Sequence, residues 1–435
     1  MRIRDSLSGE LRELEPGPDG RIGIYVCGPT VYGRIHVGNA CPFVVFLLMK
    51  RYLEWRGQAV RLVENITDIN DKIYVAAARA GTPSGRLAAE MSQAYIDDTD
   101  RLGIGRPDEE PRATETVPEI VALIEELVAA GHAYETEGDV YFSVSSFARY
   151  GQLSKQRTDQ LRDGAGGADE PGERKRDPLD FALWKANKPD EDTSWDSPWG
   201  GGRPGWHIEC SAMAERWLGP EFSLHGGGRD LIFPHHENEI AQLQAGGRRF
   251  ARVWAHNGML RLSGEKMSKS LGNIDPLHAV LDRWGRETLL LFMLRGHYAA
   301  PIDYSDETMA QAAAAVETLR NRLRDGSGGS DVGLERAVWE ALDDDFNTPR
   351  ALALLFDAPP AASGVVLEVL EVLGLGSLGD RPAASPELEE MRWRRDEARQ
   401  AGDFATADAL RAEIEAAGWE ARDTAGGTVL YPRHG

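Results

Sequence analysis

Residues 22–27, Ile-Gly-Ile-Tyr-Val-Cys, constrain the fold more than any other stretch. The run is short, β-branched and closed by Gly28-Pro29, so it reads as a buried strand. A loop containing Gly33 and Gly38 follows, then a helix from about Pro42 to Trp55 that Gly57 stops. Residues 59–66 give a second strand, and the acids Asp68 and Asp71 suit the first turn of a second helix. This β-loop-α-β order predicts an α/β fold built on a Rossmann-like, doubly wound parallel sheet. Ligands of such sheets bind beyond the strand C-termini, which puts the loop after Cys27 at the site.

The 435 residues are enough for two to four domains. Hydropathy gives no membrane span, since the longest apolar run, Pro42 to Met49, is far below the ~20 residues required. No apolar leader segment stands at the N-terminus. Three cysteines cannot make a disulfide framework, so reduced thiols in a cytoplasmic protein are expected. A formal charge of −21 argues against a blanket basic surface but leaves room for a local groove.

Further along, residues 118–130 have a helical pattern and 134–143 a strand pair turning at Glu137-Gly138-Asp139. Residues 159–203 are polar and rich in Gly, Pro and Asp, too long for an ordinary connection, and read as an inserted module or functional loop. Residues 223–234 suggest a strand, a triple-glycine turn and a strand leading to a helix at His235. Beyond 305 the chain is helical, with breaks at 325–332 and 377–386. It closes with a helix over 404–417 and a short strand over 428–431.

Three groups of residues could carry chemistry. His235-His236-Glu237-Asn238-Glu239 sets His235 and Glu239 at i, i+4 and His236 and Glu239 at i, i+3; Cys27 and Cys210 could complete a four-coordinate zinc set. Periodicity does not choose between the two histidines. His36-Val37-Gly38-Asn39, between strand and helix, is placed to receive an anion on backbone N–H groups. Lys266-Met267-Ser268-Lys269-Ser270, followed by Leu271-Gly272, is a cationic loop suited to a pyrophosphate leaving group.

The last two loops resemble the paired signatures of class I aminoacyl-tRNA synthetases. The segments 25–32, 65–72, 178–185, 204–213, 233–242, 342–349 and 403–411 are together similar to the cysteinyl-tRNA synthetase family. The resemblance implies one zinc per chain on Cys27, Cys210, His235 and Glu239, with Thr67 and Trp206 shaping the amino-acid pocket. It implies that His36, Asn39, Lys266 and Lys269 act on the phosphates of ATP, delivered with Mg2+. Gly38, Gly226, Gly227 and Gly228 would let the nucleotide approach, and Asp230 would hold its ribose. The implied partners are L-cysteine, ATP and tRNA(Cys), and a monomer is expected. The implied domains are a catalytic domain over 1–117 and 204–250, an inserted connective module over 118–203 and a lysine-loop region over 251–308. An α-helical tRNA-binding bundle over 309–395 and a small α/β anticodon module over 396–435 would follow.

Two positions depart from the family pattern: Asn39 ends a loop that usually ends in His, and Cys41 stands where Arg is common. The break at 356–360 shortens the helical region. Two alternatives share these motifs: an adenylating cysteine ligase with a small amine acceptor, and a non-catalytic zinc-binding paralogue. Arg399, Arg411, Arg422, Arg433 and Trp419 in the tail favour the RNA-charging enzyme.

Overall fold

A computed structural model describes residues 1–157, 174–262, 265–266, 275–380, 383–424 and 427–432. The chain forms two compact units, Met1–Leu378 and Gly379–Gly435.

The first unit is organised by a parallel sheet in the order Ala251–Asn257, Phe222–Gly228, Ile22–Val26, Val60–Glu64. Alternation along Ile22–Val26 explains why it is double-faced. Ile22, Ile24 and Val26 join the core that holds helix Ala40–Trp55, whereas Tyr25 joins the core that holds helix Trp206–Leu218. Every residue of the strand is buried, so its continuous apolar run reflects helices packed on both sides.

The inserted module is a second sheet, antiparallel, ordered Ala133–Thr136, Asp139–Phe142, Phe181–Ala186, Gly202–Pro204. Its first hairpin turns at Glu137 and Gly138, both at positive φ (52° and 85°), the geometry that two-residue hairpins use. The polar stretch therefore contributes two strands, with residues 158–173 outside the described part.

The expected triple-glycine turn is not a turn. Gly226, Gly227 and Gly228 are the last residues of the unbroken strand Phe222–Gly228. Their small size serves packing: a Cβ on Gly226 would stand 2.4 Å from the Phe46 ring, and one on Gly227 2.8 Å from His236. His235 lies in the last turn of the irregular helical segment Ile232–His236, which runs directly into helix Glu237–Ala245.

Helices Asp306–Asp325, Val332–Asp343, Thr348–Asp357 and Ser363–Val372 make no separate bundle core. Their apolar faces belong to the same core as helix Ala40–Trp55. Tyr52 donates to Asp343 at 2.9 Å, and Trp55 packs on Trp339 with ring centroids 3.9 Å apart. The break at 356–360 ends one helix, and the chain re-enters the same core through Val365, Val366, Val369 and Leu370.

The second unit consists of helices Pro386–Gln400 and Phe404–Ala416 and the hairpin Trp419–Thr424/Gly427–Pro432. The boundary expected at 395/396 falls inside its first helix. The reason is Arg395, which is buried and donates to Asp423 at 2.7 Å, while Asp396 accepts from the Thr428 amide at 3.0 Å. That helix is thereby bound to the hairpin that follows it.

Candidate active site

Cys27 stands just beyond the end of Ile22–Val26, at the head of the loop that enters the site. The loop is pinned along residues 65–67: Val31 donates to the Thr67 carbonyl and Thr67 to the Pro29 carbonyl, both at 3.1 Å. Gly28 must be glycine, because a Cβ there would lie 1.8 Å from the Asn65 carbonyl oxygen. The Asn65 side chain accepts from the Gly28 amide at 3.1 Å and donates to the Thr67 hydroxyl at 3.1 Å.

Helix Trp206–Leu218 brings Cys210 to the same point, and the chain around Glu237–Ala245 brings His235 and Glu239. One ligand atom from each of Cys27, Cys210, His235 and Glu239 lies within 4.8 Å of the other three, all four side chains buried. The Cys27 thiol donates to Glu239 Oε1 at 3.4 Å, and His235 Nε2 stands 3.2 Å from that oxygen. His235 Nε2 is buried without a hydrogen-bond partner. Its other ring nitrogen meets His207 Nδ1 at 2.9 Å. Burial pushes the thiols of Cys27 and Cys210 up and the imidazole of His235 down, so all three are neutral in a site without a cation. Two sulfurs, a ring nitrogen and a carboxylate oxygen with one unused buried lone pair fit a tetrahedral divalent ion.

A second quartet, Cys27, His225, His236 and Glu239, is equally compact. Its histidines are engaged differently. His225 Nε2 meets Glu239 Oε2 at 2.8 Å, and His236 Nδ1 meets His256 Nε2 at 2.8 Å. These contacts fix the far oxygen of Glu239 and brace the floor, the outer-shell arrangement that orients metal ligands.

A cavity of about 410 Å³ opens above this cluster. Cys27, Trp206, His36, Gly38, Asn39, Gly228 and Asp230 line it. Trp206 stacks on His235 with ring centroids 4.2 Å apart. Thr67 is buried behind the lining, beneath the loop it pins, and Gly226 and Gly227 are filled by Phe46 and His236. Gly228 is therefore the one member of the glycine trio that borders the cavity.

His36 and Asn39 bracket a short 3-10 turn, Val37–Asn39. His36 Nδ1 accepts from the Gly38 amide at 3.1 Å, and the Asn39 side-chain oxygen accepts from the His36 amide at 3.2 Å. Asn39 thus closes a capping box that a carbonyl oxygen can make. Cys41 follows as a buried core residue whose thiol is pushed up to about 12. The chain after the lysine loop is stitched to the loop before helix Ala40–Trp55: Val37 donates to the Asp275 carbonyl and Leu277 to the Ile35 carbonyl, both at 3.1 Å. Of the loop lysines, Lys266 is described only as a strand position, paired with Arg261, and Lys269 lies outside the described residues. Asn65, His207 and His225 carry much of this geometry and escaped the sequence reading. Two of them stand in segments already marked by the motifs, which was the available signal.

The family model for the class I (C) tRNA synthetase catalytic domain matches residues 13–314, and a DALR domain model matches 337–362. The cysteine–tRNA ligase of Halorhodospira halophila is 45% identical over 98% of both chains. That of Rubrobacter xylanophilus is 43% identical over the whole of both. This chain belongs to the cysteine–tRNA ligase family. Among solved structures, Mycobacterium tuberculosis methionyl-tRNA synthetase with methionyl-adenylate superposes with a TM-score of 0.60. It covers 91% of this chain and 89% of its own at 17% identity, a likeness of fold. Among the described residues no helix is long and apolar enough to cross a membrane.

In the tail, the arginines expected to face RNA have acidic neighbours. Arg399 pairs with Asp423, Arg411 with Glu415 and Arg422 with Glu420, and Arg433 lies outside the described residues. Trp419 is partly buried on the small core of Leu388, Ile414 and Ala421. That contact gives it a packing role in the unit. The exposed aromatics of this unit are Trp393 and Phe404.

Proposed function

We propose that the protein activates L-cysteine with ATP and transfers it to the 3′ end of tRNA(Cys), working in the cytoplasm. The observation that carries this reading is the convergence of Cys27, Cys210, His235 and Glu239 at the floor of the cavity whose rim is His36–Asn39. These four side chains would hold one zinc ion, which when bound supplies a soft site that prefers a thiolate to a hydroxyl. Shape alone separates cysteine from serine poorly, so selection then needs no second, editing site.

The chain's own groups do the rest by positioning. Trp206, braced on His235, closes the amino-acid side of the cavity. The N–H groups of Val37, Gly38 and Asn39 are taken up within the fold, so the turn serves by setting His36 and Asn39 at the rim towards the phosphates of ATP, and Lys266 and Lys269 carry charge to the leaving pyrophosphate. Asp230 and Gly228, side by side at the strand end, receive the nucleoside. The carboxylate of cysteine attacks the α-phosphate; the P–O bond to pyrophosphate breaks; a terminal ribose hydroxyl of tRNA then takes the acyl group and releases AMP. Proximity and charge stabilisation account for such phosphoryl chemistry without a covalent enzyme intermediate. Cysteine-dependent ATP–pyrophosphate exchange, followed by charging of tRNA(Cys), tests the reading. Exchange without charging would assign the protein to a small-amine ligase, and absence of exchange would refute adenylation.

A further inference from the structure

The rim of the cavity carries a guanidinium that no motif announces. Arg34 lies in the loop just before His36 and lines the cavity with Tyr32, His36 and Asn39. Its Nε donates to Asp98 Oδ2 at 3.2 Å and its Nη2 to Asp98 Oδ1 at 2.6 Å. The Asp98 side chain, on helix Ser84–Asp100, is only 2% exposed, whereas that of Arg34 is 45% exposed. A buried carboxylate therefore grips one edge of the fork and sets its plane. The other edge, Nη1, has no partner among the described residues.

The clamp also lies against the chain that follows the lysine loop. Asp98 Oδ2 is 4.0 Å from His278 Nδ1, on helix Leu277–Trp284. That helix directly follows the segment stitched to His36 and Val37. Arg34 is thus fixed between the anion-binding turn and the start of the chain that leaves the lysine loop. Its hydrogen bond to Asp98 holds its pKa above the ordinary value, which keeps it charged.

The charge inventory of the cavity gives this edge a purpose. Glu64 and Asp230 line the cavity as acids, and among the described residues Lys72 and Arg34 are its cationic side chains beside the histidine of the turn. The first turn of helix Ala40–Trp55 adds none, since Cys41 is buried and neutral. A free arginine loses rotamer entropy on binding an anion; one already clamped on one side loses less. We propose that Arg34 binds a phosphate of ATP through its free edge, with Asp98 as its positioning residue. This rests on the reading of the protein as an ATP-dependent ligase and adds a phosphate contact to it.

Calorimetric titration of ATP and of adenosine into the wild type, Arg34→Gln and Arg34→Lys tests the assignment. Arg34→Gln should weaken ATP roughly 10- to 100-fold, the span of one charge-assisted contact, and leave adenosine affinity unchanged. Arg34→Lys should fall between, because it keeps the charge and loses the fork. Equal losses for ATP and adenosine would make the clamp purely structural and overturn the proposal. Unchanged ATP affinity with a raised KM for tRNA would overturn it too, by moving the contact to a tRNA phosphate. Cysteine-dependent exchange by the wild type is measured alongside. A wild type without exchange defeats the ligase reading and this inference together, whereas an active wild type with unaltered ATP affinity in Arg34→Gln defeats this inference alone.

Discussion

The cavity floor and the C-terminal unit are held together by opposite means. The floor is polar and buried: Cys27, Cys210, His225, His235, His236 and Glu239 lie together against a large apolar core. The tail has a small apolar core, centred among the described residues on Leu388, Ile414 and Ala421, and relies also on the fork from Arg395 to Asp423 and the clasp of Thr428 on Asp396. Buried polar groups that await a ligand make a site, and buried polar groups that satisfy one another make a scaffold. The floor should therefore respond to loss of its metal, and the tail to loss of one arginine.

The largest effect should come from the floor. Cys210→Ser removes one of two sulfurs, and cysteine-dependent exchange should fall more than about 100-fold with zinc content falling in parallel. Full zinc occupancy in that variant, read by atomic absorption, would refute the ligand assignment.

Removing the tail after Leu378 should leave exchange nearly intact and depress tRNA charging, increasingly so at higher salt. The floor, the turn at Gly38 and the helices through Val372 all belong to the first unit. Normal charging by the shortened protein would make the tail dispensable and end the functional contrast between the regions.

Arg395→Ala should do part of the same damage from one position. It removes a buried side chain and its bonds to Asp423 and Thr428, and costs on the order of 1–3 kcal/mol, because Asp423 is 41% exposed and keeps Arg399 as a partner. That is a large share of the stability of so small a unit. Limited proteolysis should then trim the tail while exchange persists, and resistance equal to wild type would show that the apolar core suffices.

How much of this was legible in the sequence follows the same division. The strand Ile22–Val26 is a local pattern; the floor set comes from the family resemblance, since periodicity leaves His235 and His236 open, and the structure brings Cys27, Cys210, His235 and Glu239 together. Gly226–Gly228 misled because glycine marks turns by default, while Gly226 and Gly227 make room for Phe46 and His236, and Gly228 lies against Asp230 at the cavity. The tail boundary was hidden likewise: nothing near Arg395 announces that it buries against Asp423 and Thr428. Arg34 reads as an ordinary loop arginine until Asp98, 64 residues on, is seen beside it.

The smallest expected effect is in pH, where the regions have opposite slopes. Glu64, at the cavity wall, is raised to about 8, chiefly by burial, while accepting from Tyr95 at 2.6 Å. A raised carboxyl favours the folded state while protonated. Stability of the first unit should decline as pH rises from about 4 towards 8, and Glu64→Gln should flatten that decline. Asp423 is held down to about 2 by its hydrogen bond to Arg395. Its contribution is present above about 4 and is lost as pH falls towards 2, weakly because the group is exposed to solvent. Thermal melts of the first unit and of the full chain across pH 2–9 would separate the slopes.

The central claim is that one zinc ion on Cys27, Cys210, His235 and Glu239 selects cysteine. ATP–pyrophosphate exchange with cysteine and with serine, before and after chelation and after zinc is returned, tests it most directly. The account predicts exchange with cysteine alone, its loss on chelation and its recovery with zinc. Undiminished exchange by zinc-free protein, or equal exchange with serine, would contradict it.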